Sequence, residues 1–588
     1  MQLVIDVETN GFLDTLNKVH CLVAKDVETE KVYSFKPDEL DKALELLRQA
    51  KKLIGHNITK FDLPALNKIF DFKYTGEVFD TLLISRLIWA NRTELDCKTG
   101  NLPPKLIGRH SLESYGYRLG LLKGDFKDKE NFEQWSEEMQ DYCKRDCEIT
   151  YRLFKLIDDA NYSKEAIELE HKFSYWIKKQ EDYGVCFDER ASQLLYQSLL
   201  KRRLELEKNL ASVFPNWERL DRIFRPKRDN KTKGYKKGVP VKIYVTEIFN
   251  PNSREHIADR LQKVLGWKPS SFTASGKVEV NEKILSELKY PEAKIISEHF
   301  TIQKRIAMLA EGEQAYLKLM RNGKIYGKVI ENGAVTGRAT HNNPNLSQVP
   351  SKGSAYGTEF RSLFIAPATM VMCGIDFSGI ELRVLSHYLS NIDEGQFQKK
   401  LLEDDIHSAN REALGLSSRS QAKTFIYAYV YNAGNYRLAQ ILETTEQEAK
   451  RIREKFEELI PSLKILNQQC KLKARTVGFI RGLDGRKVTC RSEHSALNTL
   501  LQSGASLLCK QATILLNENL EKNGFEFGKD YAQVLHIHDE IQFYVLKEKI
   551  EQFKTVASLI FQQVQEHFNF RCPLAGEIKV GINWSETH

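Results

Sequence analysis

Long hydrophobic runs are missing from this 588-residue chain: no stretch approaches the ~18 consecutive apolar residues that a membrane-spanning helix needs. The opening MQLVIDVE has no basic segment ahead of an apolar core and no small-residue cleavage site, so no secretory signal is expected. Cysteine is scattered: ten residues, no CxxC, and no second pair to accompany Cys143 and Cys147, which speaks against a disulfide framework and a zinc ribbon. With 33 Gly and 15 Pro, collagen-like and low-complexity architectures are excluded as well. What is present is an ordinary globular make-up, 41% hydrophobic and 28% charged. The length is about four times a typical ~150-residue domain, which predicts several packed units.

The net charge of +8 permits a polyanionic partner without demonstrating one. Its distribution says more. Nine cations (Arg222, Arg225, Lys227, Arg228, Lys231, Lys233, Lys236, Lys237 and Lys242) stand against the single acid Asp229. Such a run reads as a solvated, flexible loop, or as a phosphate contact if the rest of the chain handles nucleic acid.

Up to about residue 160, short apolar runs (LVIDV, HCLVAKDV, KLIGH) alternate with helical periodicity, an α/β pattern. From Lys164 to about Leu265 the pattern turns helical, interrupted by the basic run, and 266–330 continue as mixed helix. The remainder reads as α+β. Strands at MVMCGIDF and VLHIHDEIQFYV enclose a long, mostly helical stretch, and there are no internal repeats.

Two groups of acids carry the chemistry. In the first strand, alternation puts Leu3, Ile5 and Val7 on one face and Val4, Asp6 and Glu8 on the other. Adjacent carboxylates repel, so something cationic is expected to compensate them. Asp-x-Glu alone is a weak signal. Asp62, entering the helix after GHNITKFD, and Asp146, one helical turn beyond Tyr142, strengthen it. Four carboxylates and a tyrosine suit phosphodiester hydrolysis on two divalent ions roughly 4 Å apart, with Tyr142 orienting the attacking water. The order and local sequence of these segments resemble the DEDD superfamily of 3′→5′ exonucleases, in its DEDDy branch.

In the second group, Asp376 ends the strand MVMCGIDF, and the chain restarts as the helix IELRVLSHYL with Glu381 in its first turn. VLHIHDEIQFYV reads as two strands folded at His538-Asp539-Glu540. Adjacent strands would bring Asp376 and Asp539 to one pair of metals. Between them, Arg419, Lys423, Tyr427 and Tyr431 recur every four residues on a helix. An aromatic stripe usually means core packing. Two cations leading it fit a triphosphate clamp better, with the rings stacking on a nascent base pair.

GIDFSGIELRVLSH, RSQAKTFIYAYVYN and HIHDEI resemble motifs A, B and C of the family A (DNA polymerase I-like) DNA polymerases. TGRATHNNPNLSQVP, GLDGRKVTCRS and ALNTLLQSGASLLCK are similar to segments of the family's podophage replicative branch. The resemblance implies an RNase H-like exonuclease domain over 1–160, ahead of a right-hand polymerase. In the latter, the thumb region is 161–325 with the basic loop 222–242, the palm is 326–400 and 530–588, and the fingers are 401–529. It makes Asp376 and Asp539 metal ligands with Glu540 beside them. Arg419, Lys423 and His407 would hold the triphosphate. Glu381 would exclude a ribose 2′-hydroxyl with Tyr427 hydrogen-bonded to it, and Tyr at 427 implies acceptance of dideoxynucleotides. Arg338, Asn498, Gln502 and His538 would contact the primer-template, and the terminal His588 would lie near the active site.

The implied function is DNA-directed DNA synthesis from dNTPs with proofreading. The cofactor is Mg²⁺, two ions per site, with Mn²⁺ as a substitute. The implied setting is a monomer in the cytoplasm of a bacterial host, off any membrane, beside a phage helicase-primase and single-strand binding protein. An exonuclease with a non-catalytic polymerase half, and an organellar or bacterial repair enzyme, remain open as alternatives at this point. Two departures stand out. The motif B helix ends Tyr431-Asn432 where the family usually has Tyr-Gly. The stretch from Phe214 to Asn250 is too short for the long insertion with which podophage relatives recruit host thioredoxin, so that partnership is not expected.

Overall fold

The computed structural model describes residues 1–121, 132–403 and 406–588. The side chain of His407, expected at the triphosphate, lies outside the described residues. The chain forms two compact units, 1–185 with 326–348 and 366–588, and 186–325 with 349–365.

The first unit holds two sheets. In the N-terminal one, the strands run Val32–Phe35, Val19–Asp26, Gln2–Thr9, Lys52–Gly55, Glu77–Asp80, the first three antiparallel and the last three parallel. Both faces of its central strand are covered. Leu3, Ile5 and Val7 pack in one cluster with Leu40, Leu44 and Leu47, whereas Val4 joins Met139, Cys143 and Cys147 of the helix Glu137–Asp159 in another. The alternation read from MQLVIDVE therefore assigns Asp6 and Glu8 to the side covered by the helix Glu137–Asp159.

The second sheet, entirely antiparallel, runs Tyr531–Ile537, Glu540–Leu546, Met370–Phe377, Gly576–Gly581. Its core is shared with the helix Ile380–Asp393 and with Ala496–Lys522, a 27-residue helix buried along most of its length. The helix Lys164–Tyr183, which sequence alone assigns to the thumb, lies in this unit. Its Glu170 is fully buried between Lys510, at 2.7 Å, and Arg486, also at 2.7 Å. Such a charge is tolerable in an interior only when paired.

In the second unit the helices Glu189–Val213 and Pro291–Ile306 pack together, tied by Arg202 to Glu298 at 2.8 Å. Most of the basic run lies in a loop, as expected, but both of its ends are strand. Trp217–Phe224 and Val241–Glu247 pair as an antiparallel ribbon, with Arg222 on one strand, Lys242 on the other and the remaining cations between them. The strand signal was weak because neither face of the ribbon is buried; only Val241, Ile243 and Val245 alternate. Among the described residues, no helix is long and apolar enough to cross a membrane.

Candidate active sites

Asp6, Glu8, Asp62, Asp146 and Tyr142 line a single cleft of about 520 Å³ in the first unit. The strand Gln2–Thr9 supplies the first two and the first turn of the helix Asp62–Phe70 the third; the helix Glu137–Asp159 supplies Tyr142 and Asp146. Carboxylate oxygens of Asp6 and Glu8 lie within 4.8 Å of the Cys143 thiol. Burial, with the Asp80 carboxylate nearby, pushes the Asp62 carboxyl up to about 7. Burial and the carboxylates of Asp146, Glu8 and Asp6 hold the Tyr142 phenol well above its usual range. Acids crowded in this way fit divalent cations, whose charge would relieve the repulsion with hard oxygen ligands.

The turn carrying Asp62 is clamped by residues that no motif announced. Asp80 caps the helix Thr81–Ile88 and accepts from the amides of Asn57 at 3.0 Å and Thr59 at 3.2 Å. The only available sequence sign was an apolar run ending in Asp-Thr, an ordinary helix start. Phe12, Phe61 and Phe132 also line the cleft, and Phe12 is 82% exposed.

In the second sheet, Asp376 faces Glu540 across paired strands, and the amide of Phe377 donates to the carbonyl of Asp539 at 3.3 Å. The two strands of VLHIHDEIQFYV meet in a two-residue turn, with His538 in the left-handed region at φ 55°. Burial first, then the Asp539 carboxylate, raises Asp376 to about 6; burial also raises Asp539. This pair suits a divalent ion for the same reason as the first cluster. Glu540 is engaged elsewhere. Its oxygens accept from the Trp584 indole and from Gln542 at 2.6 Å, and the ring of His588 lies 2.8 Å away, so it moors the C-terminal segment beside the acids.

The helix Arg419–Val430 separates its two faces as a clamp requires. Phe425, Ile426, Tyr429 and Val430 are buried in the core, whereas Arg419 and Lys423 are exposed and Tyr427 is half-buried. Core packing therefore belongs to the opposite face from the stripe. The tyrosine seen bonded to Glu381 is not the expected one. Tyr431 donates to Glu381 at 2.5 Å, and Arg338 donates to its other oxygen at 2.8 Å. Tyr431 follows the last helical residue, where the chain turns toward Glu381, with its ring centroid 6.3 Å from that of Tyr427.

Asn432 adopts φ 59°, the left-handed region that glycine enters freely and asparagine tolerates best among the rest. Its side-chain amide donates to the carbonyl of His494 at 2.5 Å. The departure from Tyr-Gly thus keeps the backbone conformation and adds a hydrogen bond. Asn498 and Gln502 sit one turn apart on the helix Ala496–Lys522, and among the described residues the buried Asn498 Oδ1 has no hydrogen-bond donor.

The family model described as DNA polymerase family A matches residues 230–586. The chain is 36% identical to the DNA-directed DNA polymerase of Enterobacteria phage T3 and 35% identical to that of Escherichia phage T7. Each alignment runs over 707 positions and covers all of both proteins, so the relatives carry segments that these 588 residues lack. Among solved structures, the polymerase domain of Pol1 from M. smegmatis, in complex with DNA primer-template and dNTP, superposes with a TM-score of 0.76. That match spans 99% of this chain and 95% of that one at 16% identity, a likeness of fold. With a family model matching more than half its length, two full-length phage relatives and an α/β sheet followed by an antiparallel sheet carrying paired acids, the chain belongs to DNA polymerase family A.

Proposed function

We propose that this family A polymerase extends DNA primers at Asp376 and Asp539 and excises 3′ ends at Asp6, Glu8, Asp62 and Asp146. The observation that carries the reading is the existence of two separate carboxylate clusters, each built at the end of a central strand, one in the antiparallel sheet and the other in a cleft that Phe12, Phe61 and Phe132 also line. Template-directed synthesis from dNTPs follows from the family and the full-length relatives. Divalent ions held by these acids, Mg²⁺ or Mn²⁺ in its place, would supply charge neutralisation and a lowered pKa for the attacking oxygen at each site.

At the polymerase site, Arg419 forks onto triphosphate oxygens, and Lys423 adds a point charge and a proton for the departing pyrophosphate. Tyr427 supplies a ring for the new base pair. Arg338, Glu381 and Tyr431 form a hydrogen-bonded group positioned to crowd a ribose 2′-hydroxyl. Arg338, Asn498, Gln502 and His538 offer polar atoms suited to the minor-groove acceptors common to every correct pair. At the exonuclease site, Tyr142 orients water, and Phe12, Phe61 and Phe132 suit stacking of unpaired bases, which is tolerant of sequence. The ribbon 217–247 would grip duplex phosphates directly, in place of a thioredoxin-recruiting insertion. The setting we propose is a phage replisome in a bacterial cytoplasm.

Primer extension and single-strand degradation test the assignment. Asp539→Asn should abolish synthesis and spare degradation, and Asp6→Ala with Glu8→Ala should do the reverse. Synthesis surviving the Asp539 change would overturn it.

A further inference from the structure

Lys60 lies two residues before Asp62, on the turn that delivers this carboxylate to the exonuclease cleft, yet its ammonium points away from the cleft. It donates to Glu181 at 2.8 Å and to the carbonyl of Val329 at 2.8 Å, and it pairs with Glu331 at 2.9 Å. All three partners lie outside the N-terminal α/β sheet. Glu181 ends the helix Lys164–Tyr183, while Val329 and Glu331 belong to the stretch matched by the polymerase family model. Both acids are almost fully buried, at 2% and 4% side-chain exposure, and each has a further partner. The Val329 amide donates to Glu181 at 2.7 Å, and Ser174 donates to Glu331 at 2.8 Å.

Buried ion pairs with this many hydrogen bonds fix geometry, because any displacement strands a charge in the interior. From the opposite side the same turn is held by Asp80 through the amides of Asn57 and Thr59. Asn57 itself is at φ 68°, and it accepts from the amides of Lys60 at 3.1 Å and Phe61 at 2.9 Å. The segment between Asn57 and Asp62 is therefore gripped at two ends, one by its own sheet and one by the polymerase half.

We infer that Lys60 is a positioning residue for Asp62, and that Glu181 and Glu331 complete the exonuclease site from the polymerase side of the molecule. The proposal rests on the exonuclease reading given above. It makes excision conditional on the docking of the two halves, because the carboxylate at 62 is set by atoms more than a hundred residues away in the chain. Asp62 acts on the reacting atoms; Lys60 acts through it.

The test uses the full chain. Lys60→Met should raise the Mg²⁺ concentration for half-maximal excision of single-stranded DNA by about tenfold or more, and weaken Mn²⁺ binding at the exonuclease site, read by titration calorimetry of the full chain without DNA, by a similar factor, as loss of a group that orients a metal ligand does, with primer extension left within about twofold. Glu331→Gln should produce the same shift from the other side, and the charge-balanced double variant Lys60→Met with Glu331→Gln guards against a folding defect. Lys60→Arg, which keeps the charge, should restore much of the Mg²⁺ response. Unchanged Mg²⁺ dependence in a folded Lys60→Met protein, or equal losses of excision and extension, would overturn the inference. Absence of excision from the unsubstituted chain would instead defeat the exonuclease reading itself.

Discussion

Asp376 stands directly opposite Glu540 in the antiparallel pairing of their strands, and Glu540 spends its oxygens on Trp584, Gln542 and His588. The two acids look alike in sequence, but they divide the work. Asp376 pairs with Asp539, each carboxyl raised by burial, whereas Glu540 anchors the last residues of the chain next to them. Glu540→Gln should therefore loosen the C-terminal segment and weaken synthesis, yet leave more residual extension than Asp376→Asn. Steady-state extension by the two variants checks this ranking.

Asp376 also sets a pH dependence. Burial, and then the neighbouring Asp539 carboxylate, push its carboxyl in the folded, ion-free chain up to about 6, above the ordinary carboxylate range. A raised carboxyl favours folding while it is protonated, and that contribution is lost as pH rises through about 6. Asp376→Asn should accordingly stabilise the ion-free protein above pH 6, by on the order of 1 kcal/mol once solvent screening of this half-buried group is allowed for. The gain should fade below that pH and shrink when Mg²⁺ is added. Thermal melts across pH, with and without Mg²⁺, provide the measurement.

Sugar discrimination should respond to Tyr431. Removing its hydroxyl leaves Glu381 with Arg338 as its one remaining side-chain donor among the described residues, and a hydrogen bond to a charged group is worth about 1.5–3 kcal/mol. Tyr431→Phe should raise ribonucleotide incorporation relative to deoxynucleotide by about tenfold or more. Tyr427→Phe should mainly reduce acceptance of dideoxynucleotides. A larger ribonucleotide effect from the change at 427 would reassign the support of Glu381.

Asn432 offers a backbone test. Alanine in the left-handed region costs roughly 1–2 kcal/mol, a cost that glycine avoids. Asn432→Gly should thus melt higher than Asn432→Ala, although both lose the hydrogen bond to His494. Equal melting temperatures would mean that the conformation at 432 is not what the residue was chosen for.

The basic ribbon should govern salt sensitivity. Deleting 226–238 removes six of its nine cations, so the fall of primer-template affinity with salt should become shallower and processivity should drop. An unchanged salt slope would show that the ribbon does not touch the duplex.

Much of both clusters was legible before any coordinates. Asp6 and Glu8 are two apart on a short strand, Tyr142 and Asp146 four apart on a helix, and Arg419, Lys423 and Tyr427 at helical spacing, so local periodicity placed each set on one face. The choice between Tyr427 and Tyr431 was not legible. Both lie in the same stripe, and only the turn after Val430 brings the second phenol to Glu381. Asp80, Lys60 and Glu331 were also missed, because each looks like an ordinary helix cap or surface charge until its distant partner is known.

What the sequence by itself determined is the inventory: the acids, their local faces and the family resemblance, all set by periods of two and 3.6 residues that act over a few positions. Only the tertiary structure decided which charges are buried together. Lys60 meets Glu331, Glu170 meets Lys510 and Arg486, and Glu540 turns to the C-terminus, pairings made across long stretches of chain. The physical reason is that a charge entering an interior must find its counter-charge wherever folding puts one, and that location is a property of packing, which no local period encodes.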